Sequence, residues 1–103
     1  MKIQINYGDI QGSEALTGHV TRAVEAALSR FADRLTRVEV HLRDDRQKRK
    51  GPDDKRCTME ARPAGDKPLA VQARGPDIYD AARECAEKLE RAVAHRFERQ
   101  KDR

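Results

Sequence analysis

The chain has 103 residues, room for one compact domain with a single core and not for two. Charged residues make up 39% and hydrophobic ones 37%, so the core must be thin and amphipathic elements must supply it. The formal net charge of +4 favours an acidic partner such as nucleic acid, but 18 acidic residues are interleaved with 22 Lys and Arg, so position matters more than the sum.

Ile3, Ile5 and Tyr7 alternate with Lys2, Gln4 and Asn6, the period of a half-buried strand. Gly8 and Asp9 end it, and Ser13 is placed to cap a helix whose apolar stripe is Leu16, Val20, Ala23, Val24, Ala27 and Phe31. His19, Arg22 and Arg30 fall along one flank of that helix, with Ala26 interrupting the series. Asp33-Arg34 reads as a turn. Strict alternation returns over Leu35 to Arg43, with Val38, Val40 and Leu42 inward and Arg37, Glu39, His41 and Arg43 outward. Residues 44–54 carry no apolar side chain and are expected to form an exposed loop. Cys57, Met59 and Ala61 are the inward set of a third strand, Pro63 to Asp66 a turn, and Leu69, Val71 and Ala73 the inward set of a fourth strand that Gly75 ends. Asp77 then caps a long helix, with Asp80 at capping-box spacing and Ile78, Ala82, Cys85, Leu89, Ala92 and Val93 on one face.

The order strand, helix, three strands, helix predicts an α+β fold, a β-α-β-β-β-α two-layer sandwich. Its four-stranded sheet joins the first two strands in parallel by a right-handed crossover and the last three as an antiparallel meander. Each strand has one apolar side, so both helices must lie on the same face. Arg37, Arg56, Arg62 and Arg74 fall on the other face, which is expected to be solvated. The whole chain, 1–103, reads as a single domain without repeat or linker.

Catalytic patterns are missing: there is no Gly-rich phosphate loop, Ser elbow or paired-carboxylate motif. His19, His41 and His95 sit on different elements at expected surface positions, and the Tyr and Phe residues are largely accounted for by the core. Cys57 and Cys85 are far apart on apolar faces, which suits buried thiols in a reducing compartment better than a disulfide or a metal site. Neither a signal peptide nor a membrane-spanning run is present, so a soluble cytoplasmic protein with no membrane partner is expected, and with no catalytic pattern no small-molecule substrate is expected either.

Two groups of cations suit phosphate binding. Lys88, Arg91, His95 and Arg99 line one flank of the last helix at spacings of three and four, which separates neighbours by about 5–6 Å. Glu84, Glu87 and Asp102 lie near them, and a helix laced by intrahelical ion pairs, Glu84–Lys88 and Glu87–Arg91, accounts for the same pattern equally well. The second group is the loop cluster Arg46, Lys48, Arg49 and Lys50, which is either gripping phosphate or merely solvated.

Three segments resemble the ribosome hibernation-promoting factor family, also called ribosome-associated inhibitor or sigma-54 modulation proteins. They are the opening strand followed by Glu14-Ala15-Leu16, then Asp33-Arg34-Leu35 leading into Val38-Glu39-Val40, and Asp77-Ile78-Tyr79-Asp80-Ala81-Ala82 continued by Glu87-Lys88-Leu89-Glu90-Arg91. The resemblance covers essentially the whole chain, and the third segment is the most specific. It implies a fold similar to double-stranded-RNA-binding domains and a non-enzymatic factor without cofactor. It further implies docking on the small ribosomal subunit through ribosomal RNA, in the channel where messenger and transfer RNA sit, with translation blocked under stress or in stationary phase.

Lys88 and Arg91 carry over to the family's RNA-facing flank, and Arg99 falls where a basic residue is usual. His95 stands where Lys is common, so the charge there would depend on pH. Ala92 replaces a common Gln, Ala23 and Ala26 stand where Lys is frequent, and the loop from Asp44 is longer and more basic. Ending at Arg103, the chain resembles the short form and is expected to be a monomer. The alternatives are a protein-interaction module acting on a transcription or signalling partner, and a generic double-stranded-RNA binder. If the loop compensates for a weak first helix, changing Lys48, Arg49 and Lys50 together to Ala weakens small-subunit binding more than changing Arg22 and Arg30. Equal or opposite losses in a sedimentation assay would refute that compensation.

Overall fold

The computed structural model describes residues 1–46 and 51–101. Strand β1 (Lys2–Asn6) leads through helix α1 (Glu14–Leu28) and a 3₁₀ turn (Ser29–Arg34) into β2 (Leu35–Asp44). Strands β3 (Lys55–Pro63) and β4 (Leu69–Gly75) follow, and then helix α2 (Ile78–Lys101). The sheet order is β1-β2-β3-β4, with β1 parallel to β2 and the remaining pairs antiparallel. This is the expected α+β sandwich, with both helices on one face.

The caps are those the sequence calls for. Ser13 Oγ accepts the Leu16 N–H at 3.1 Å, and Asp77 Oδ1 accepts the Tyr79 N–H at 2.7 Å. Asp80 does not close a capping box; it faces Arg83 Nη2 at 3.4 Å instead. Gly8 turns the chain between β1 and α1 at φ +58°, and a Cβ there would lie 2.8 Å from the Leu42 carbonyl oxygen.

The core is one layer deep. Leu16, Val20, Val24 and Leu28 of α1 and Cys85, Leu89, Val93 and Phe97 of α2 cover Val38, Val40, Leu42, Cys57 and Met59 of the sheet. Alanines fill the remaining contacts, Ala81, Ala82 and Ala86 from α2 and Ala61 and Ala73 from β3 and β4. Cys85 donates its thiol to the Cys57 carbonyl at 3.3 Å, so the two cysteines are buried neighbours across the α2–β3 interface. The hydrogen bond with Cys85, together with burial, pushes the Cys57 thiol far up, which keeps it protonated.

Two local expectations are corrected. The first helix does not run as α-helix to Phe31: it ends at Leu28, a buried residue that continues the spacing of Leu16, Val20 and Val24, and winds tighter over Ser29–Arg34. The 3₁₀ turn swings Phe31 against Phe97, edge to face with centroids 5.4 Å apart, and delivers Leu35 to the sheet. Residues 44–54 are not all exposed, because Asp44 belongs to β2 and Asp45 is buried. Asp45 Oδ2 lies 3.0 Å from Arg56 Nε and 2.7 Å from Arg74 Nη1, neutralising a row of arginines on the helix-free face. Pro63 ends β3 and, as expected, opens the turn, its carbonyl accepting the Asp66 N–H at 3.4 Å. The aromatic residues are largely core, as expected: Phe97 is buried, Tyr7 and Phe31 pack against the core, and Tyr79 is exposed.

On the helix-free face, Glu39 and Glu60 stand directly opposite each other, a repulsive pairing. Arg62 sits between them at 3.2 and 2.9 Å, and Arg37 reaches Glu39 at 3.8 Å. The arginines of this face are thus largely consumed by internal ion pairs.

Long polar side chains tie α2 to the edge of β4. Lys88 Nζ donates to the Gln72 carbonyl at 3.1 Å, and Arg96 Nη1 donates to the Lys67 carbonyl at 2.8 Å. Asp66 accepts from the Lys67 N–H at 2.7 Å and from Arg96 Nη1 at 3.2 Å, and Gln100 Nε2 donates to the same carboxylate. The Lys67 N–H, followed by the bonds from Arg96 and Gln100, lowers the Asp66 pKa below its ordinary value.

Leu89→Ala removes the centre of the α2 stripe and is expected to cost about 2–5 kcal/mol of stability in chemical denaturation. Arg91→Ala, on the solvent side of the same helix, stays within about 0.5 kcal/mol. Asp66 makes a pH-dependent contribution. With its folded pKa lowered, it stabilises above its unfolded value of about 3.9 and loses that contribution as the pH falls through the folded one. Thermal melts should therefore show Asp66→Asn less stable than the parent at pH 6, with the gap closing below about pH 4.

Candidate nucleic-acid interface

The rotation of a helix about its own axis decides which flank meets which neighbour, and here the two basic flanks meet different ones. On α2, residues on one side of the Leu89 stripe turn toward the β4 edge and those on the other toward α1. Lys88, His95 and Arg99 share the β4 side, Arg91 crowns the helix, and Glu90 looks across to α1.

Lys88 is half-buried and anchored to Gln72, so the ammonium expected to sit free on the flank is a strut between α2 and β4. Arg91, His95 and Arg99 are exposed and meet no carboxylate among the described residues. The expected pairs Glu84–Lys88 and Glu87–Arg91 do not form; Glu87 is taken by Arg83 at 3.3 Å, one turn earlier. That leaves Arg91 uncompensated, and the flank offers three positions for charge at spacings of four residues.

The flank of α1 has a different fate, because α2 covers it. His19 is half-buried, not a free surface imidazole. Its Nε2 donates to the Tyr79 carbonyl at 2.9 Å, and its ring lies 4.9 Å from that of Tyr79. Ala23, Ala26 and Ala27 wall the groove between the helices. Arg30 reaches Glu90 at 3.8 Å across it. Arg22 stays on the outer surface, folded back over Gly18, and Arg30, though it reaches Glu90, is exposed as well. The α1 cations are therefore split, and none joins Lys88, His95 and Arg99 on the far side of α2.

Lys48, Arg49 and Lys50 lie outside the described residues. What the structure describes is the stem beneath them. The Asp45 N–H donates to the Asp54 carbonyl at 2.7 Å. Lys55 Nζ sits 2.9 Å from Asp54 and 3.5 Å from Asp44, and Arg46 sits 3.1 Å from Asp44. The hydrogen bond with Lys55 lowers the Asp54 pKa and raises that of Lys55. Of the loop's cations, Arg46 is thus already committed to a carboxylate.

The last turns of α2 collect cations that flank counting misses. On the β4 side, Lys67, Arg96 and Arg99 surround a polar cavity of ≈ 350 Å³ with Asp66. On the α1 side, Arg30, Arg34 and Lys101 surround a second cavity of ≈ 370 Å³. Gln100 lines both and joins them, accepting from Arg34 and donating to Asp66. The available signal was the four-residue spacing of Arg30 and Arg34; reading Arg34 as a bare turn residue concealed it. Cations at this position also complement the helix dipole, whose negative end lies here.

Among the described residues no group of His, Cys, Asp or Glu is arranged to hold a metal ion, and no helix is long and apolar enough to cross a membrane. Cationic positions on a braced two-helix layer are what the surface presents.

Comparison with known proteins agrees with this architecture. A ribosomal subunit interface protein from Coxiella burnetii superposes with a TM-score of 0.75 at 17% identity, over 94% of this chain and 98% of the other. The N-terminal domain of Protein Y from Thermus thermophilus gives 0.72 at 21% identity, over 90% and 96%. These likenesses establish the shared fold. No curated protein matches in sequence. The family model described as sigma 54 modulation protein / S30EA ribosomal protein matches residues 3–101, and the chain belongs to that family.

Proposed function

We propose that this protein is a ribosome hibernation factor: a non-enzymatic domain that docks on the small ribosomal subunit through ribosomal RNA and blocks messenger and transfer RNA. The observation that carries this reading is the family match over residues 3–101. The similar solved structures, one of them described as a ribosomal subunit interface protein, point the same way. The site of action is then the cytoplasm, and the occasion stress or stationary phase, when translation is held off.

The physical mechanism is competition. Arg91, His95 and Arg99 stand on a helix held by its apolar stripe and by the Lys88 and Arg96 struts, so the backbone that carries them needs no ordering on binding and only their side chains do. Cations that meet phosphates release condensed counterions, and the bound domain then fills space that messenger and transfer RNA need. Lys88 contributes in two ways, by its charge and by keeping α2 seated on β4. Arg91 and Arg99 are the cleaner test of charge alone.

Co-sedimentation with purified small subunits over a salt series tests the proposal. Affinity is expected to fall with salt, and Arg91→Gln with Arg99→Gln should flatten the log–log slope by about 1.4–1.8, or 0.7–0.9 per phosphate lost. Salt-independent association, or recovery of the protein solely away from ribosomal fractions of stationary-phase lysate, would overturn it. Activity that survives charge reversal of Lys88, Arg91 and Arg99 would point instead to a protein partner.

A further inference from the structure

The cavity between the 3₁₀ turn and the end of α2 is built differently from the rest of the cationic surface. Its floor is the edge-to-face pair Phe31 and Phe97. Each ring carries a guanidinium, Arg30 at 4.4 Å from the Phe31 centroid and Arg34 at 3.7 Å from that of Phe97. Arg34 is pinned a second time, donating from Nη2 to Gln100 Oε1 at 3.1 Å. Held on one face and one corner, it remains exposed, with its other face and remaining N–H groups toward solvent.

Charge distinguishes the site further. Arg34 meets no carboxylate among the described residues. Arg30 reaches only Glu90, at 3.8 Å, with 62% of its own side chain exposed. Lys101 adds a third cation at the rim, against a single lining carboxylate, Glu98. The volume, ≈ 370 Å³, is at the small end of ligand-sized cavities.

We propose that Arg30 and Arg34 form a nucleotide subsite, binding one RNA phosphate while the open face of Arg34 stacks the adjoining base. Phosphate suits the fork of guanidinium donors, which grips two oxygens at once. A base suits the free plane, because unstacked RNA bases are taken up on Arg planes as well as on aromatic rings. The floor rings themselves are covered by the guanidinium groups, so the phenylalanines hold the arginines flat and do not stack bases themselves. A strand occupies the site in preference to a free nucleotide, because Gln100 connects the cavity to the cations around Arg99 and gives neighbouring phosphates somewhere to go. The proposal rests on the reading of RNA as the partner, and it adds a single-strand contact at the end of α2 opposite the β4-side flank.

Fluorescence anisotropy with a labelled single-stranded oligoribonucleotide across a salt series tests it. Arg30→Gln with Arg34→Gln is expected to weaken binding at least tenfold at low salt. It should also flatten the log–log slope by about 1.4, or 0.7 for each single-strand phosphate. Arg34→Lys should keep the slope and still lose affinity, because the charge stays while the plane is lost. Arg83→Gln, whose guanidinium already faces Asp80 and Glu87, should change neither.

A double variant with unaltered slope and parental thermal stability overturns the subsite, as does a parent chain that binds no oligoribonucleotide. Displacement of the strand by adenosine monophosphate at equal phosphate concentration assigns the cavity to free nucleotides and overturns RNA as its occupant. Small-subunit sedimentation separates this inference from the functional reading. Subunit binding with no effect of the double variant removes the subsite alone. Oligoribonucleotide binding that depends on Arg34 without subunit binding removes the ribosomal role alone.

Discussion

How closely α2 lies on the sheet governs most of what this molecule presents to its surroundings. Over the first half of the helix the residues between them are small, Ala81, Ala82, Ala86 and Cys85 from α2 and Cys57, Ala61 and Ala73 from the strands, before Leu89, Val93 and Phe97 take over. A helix seated at that distance brings Lys88 within reach of the Gln72 carbonyl of β4 and Arg96 within reach of the Lys67 carbonyl just before it, and their stems lie along the flank as the charged ends bond the backbone. Larger residues in place of the alanines would lift the helix, part those bonds and expose the outer edge of β4 to pairing with another chain. The thin core implied by a charged composition is thus a close-fitting one, with cationic struts completing what apolar area alone does not.

The net charge of +4 conceals two populations of cation. One is spent internally. Arg56 and Arg74 hold Asp45, Arg62 separates Glu39 from Glu60, Arg83 bridges Asp80 and Glu87, and Lys55 ties the stem of the loop. The exposed pairs of Arg83 contribute little stability singly, and the half-buried and buried pairs on the strands lower the field over the sheet. The other population has no ion pair among the described residues; most of it, Arg22, Arg34, Arg91, His95 and Arg99, stands on the helical layer or the 3₁₀ turn, while Lys2 and Arg43 remain on the sheet. Polarity of charge between two faces is therefore produced largely by pairing, since both faces carry arginine.

Element types and topology were legible because they rest on period and order. Alternation at Val38, Val40 and Leu42 and again at Cys57, Met59 and Ala61 leaves one apolar face per strand, and one such face demands both helices on the same side. Leu28 continues the four-residue spacing of Leu16, Val20 and Val24 and so was legible in principle; the switch to a 3₁₀ turn from Ser29 was not, because it changes the period after that residue. Asp45 was not legible either: a carboxylate is buried only when partners arrive from elsewhere, and Arg56 and Arg74 come from two other strands. The flanks show the same limit. Sequence places His19, Arg22 and Arg30 around the axis of α1 correctly relative to its stripe, but it holds no information on which side α2 will lie. Arg30 and His19 fell on that side, and Arg91 and Arg99 did not.

That distinction bears on what a binding surface in this fold requires. A row of cations at helical spacing is common, and carboxylates one turn away usually absorb it. At Arg91 the absorbing partner is removed because Glu87 is already held by Arg83. At Arg34 the removal is geometric: the tight turn lays the guanidinium over Phe97, and Gln100, a neutral acceptor, takes the corner that an acidic residue would otherwise fill. A glutamate at position 100 would neutralise Arg34 and repel Asp66 together, so a neutral amide is the residue that joins the two cavities while leaving both open to an anion. Charge left unpaired on a rigid support, more than charge in excess, is what makes the end of α2 suited to phosphate.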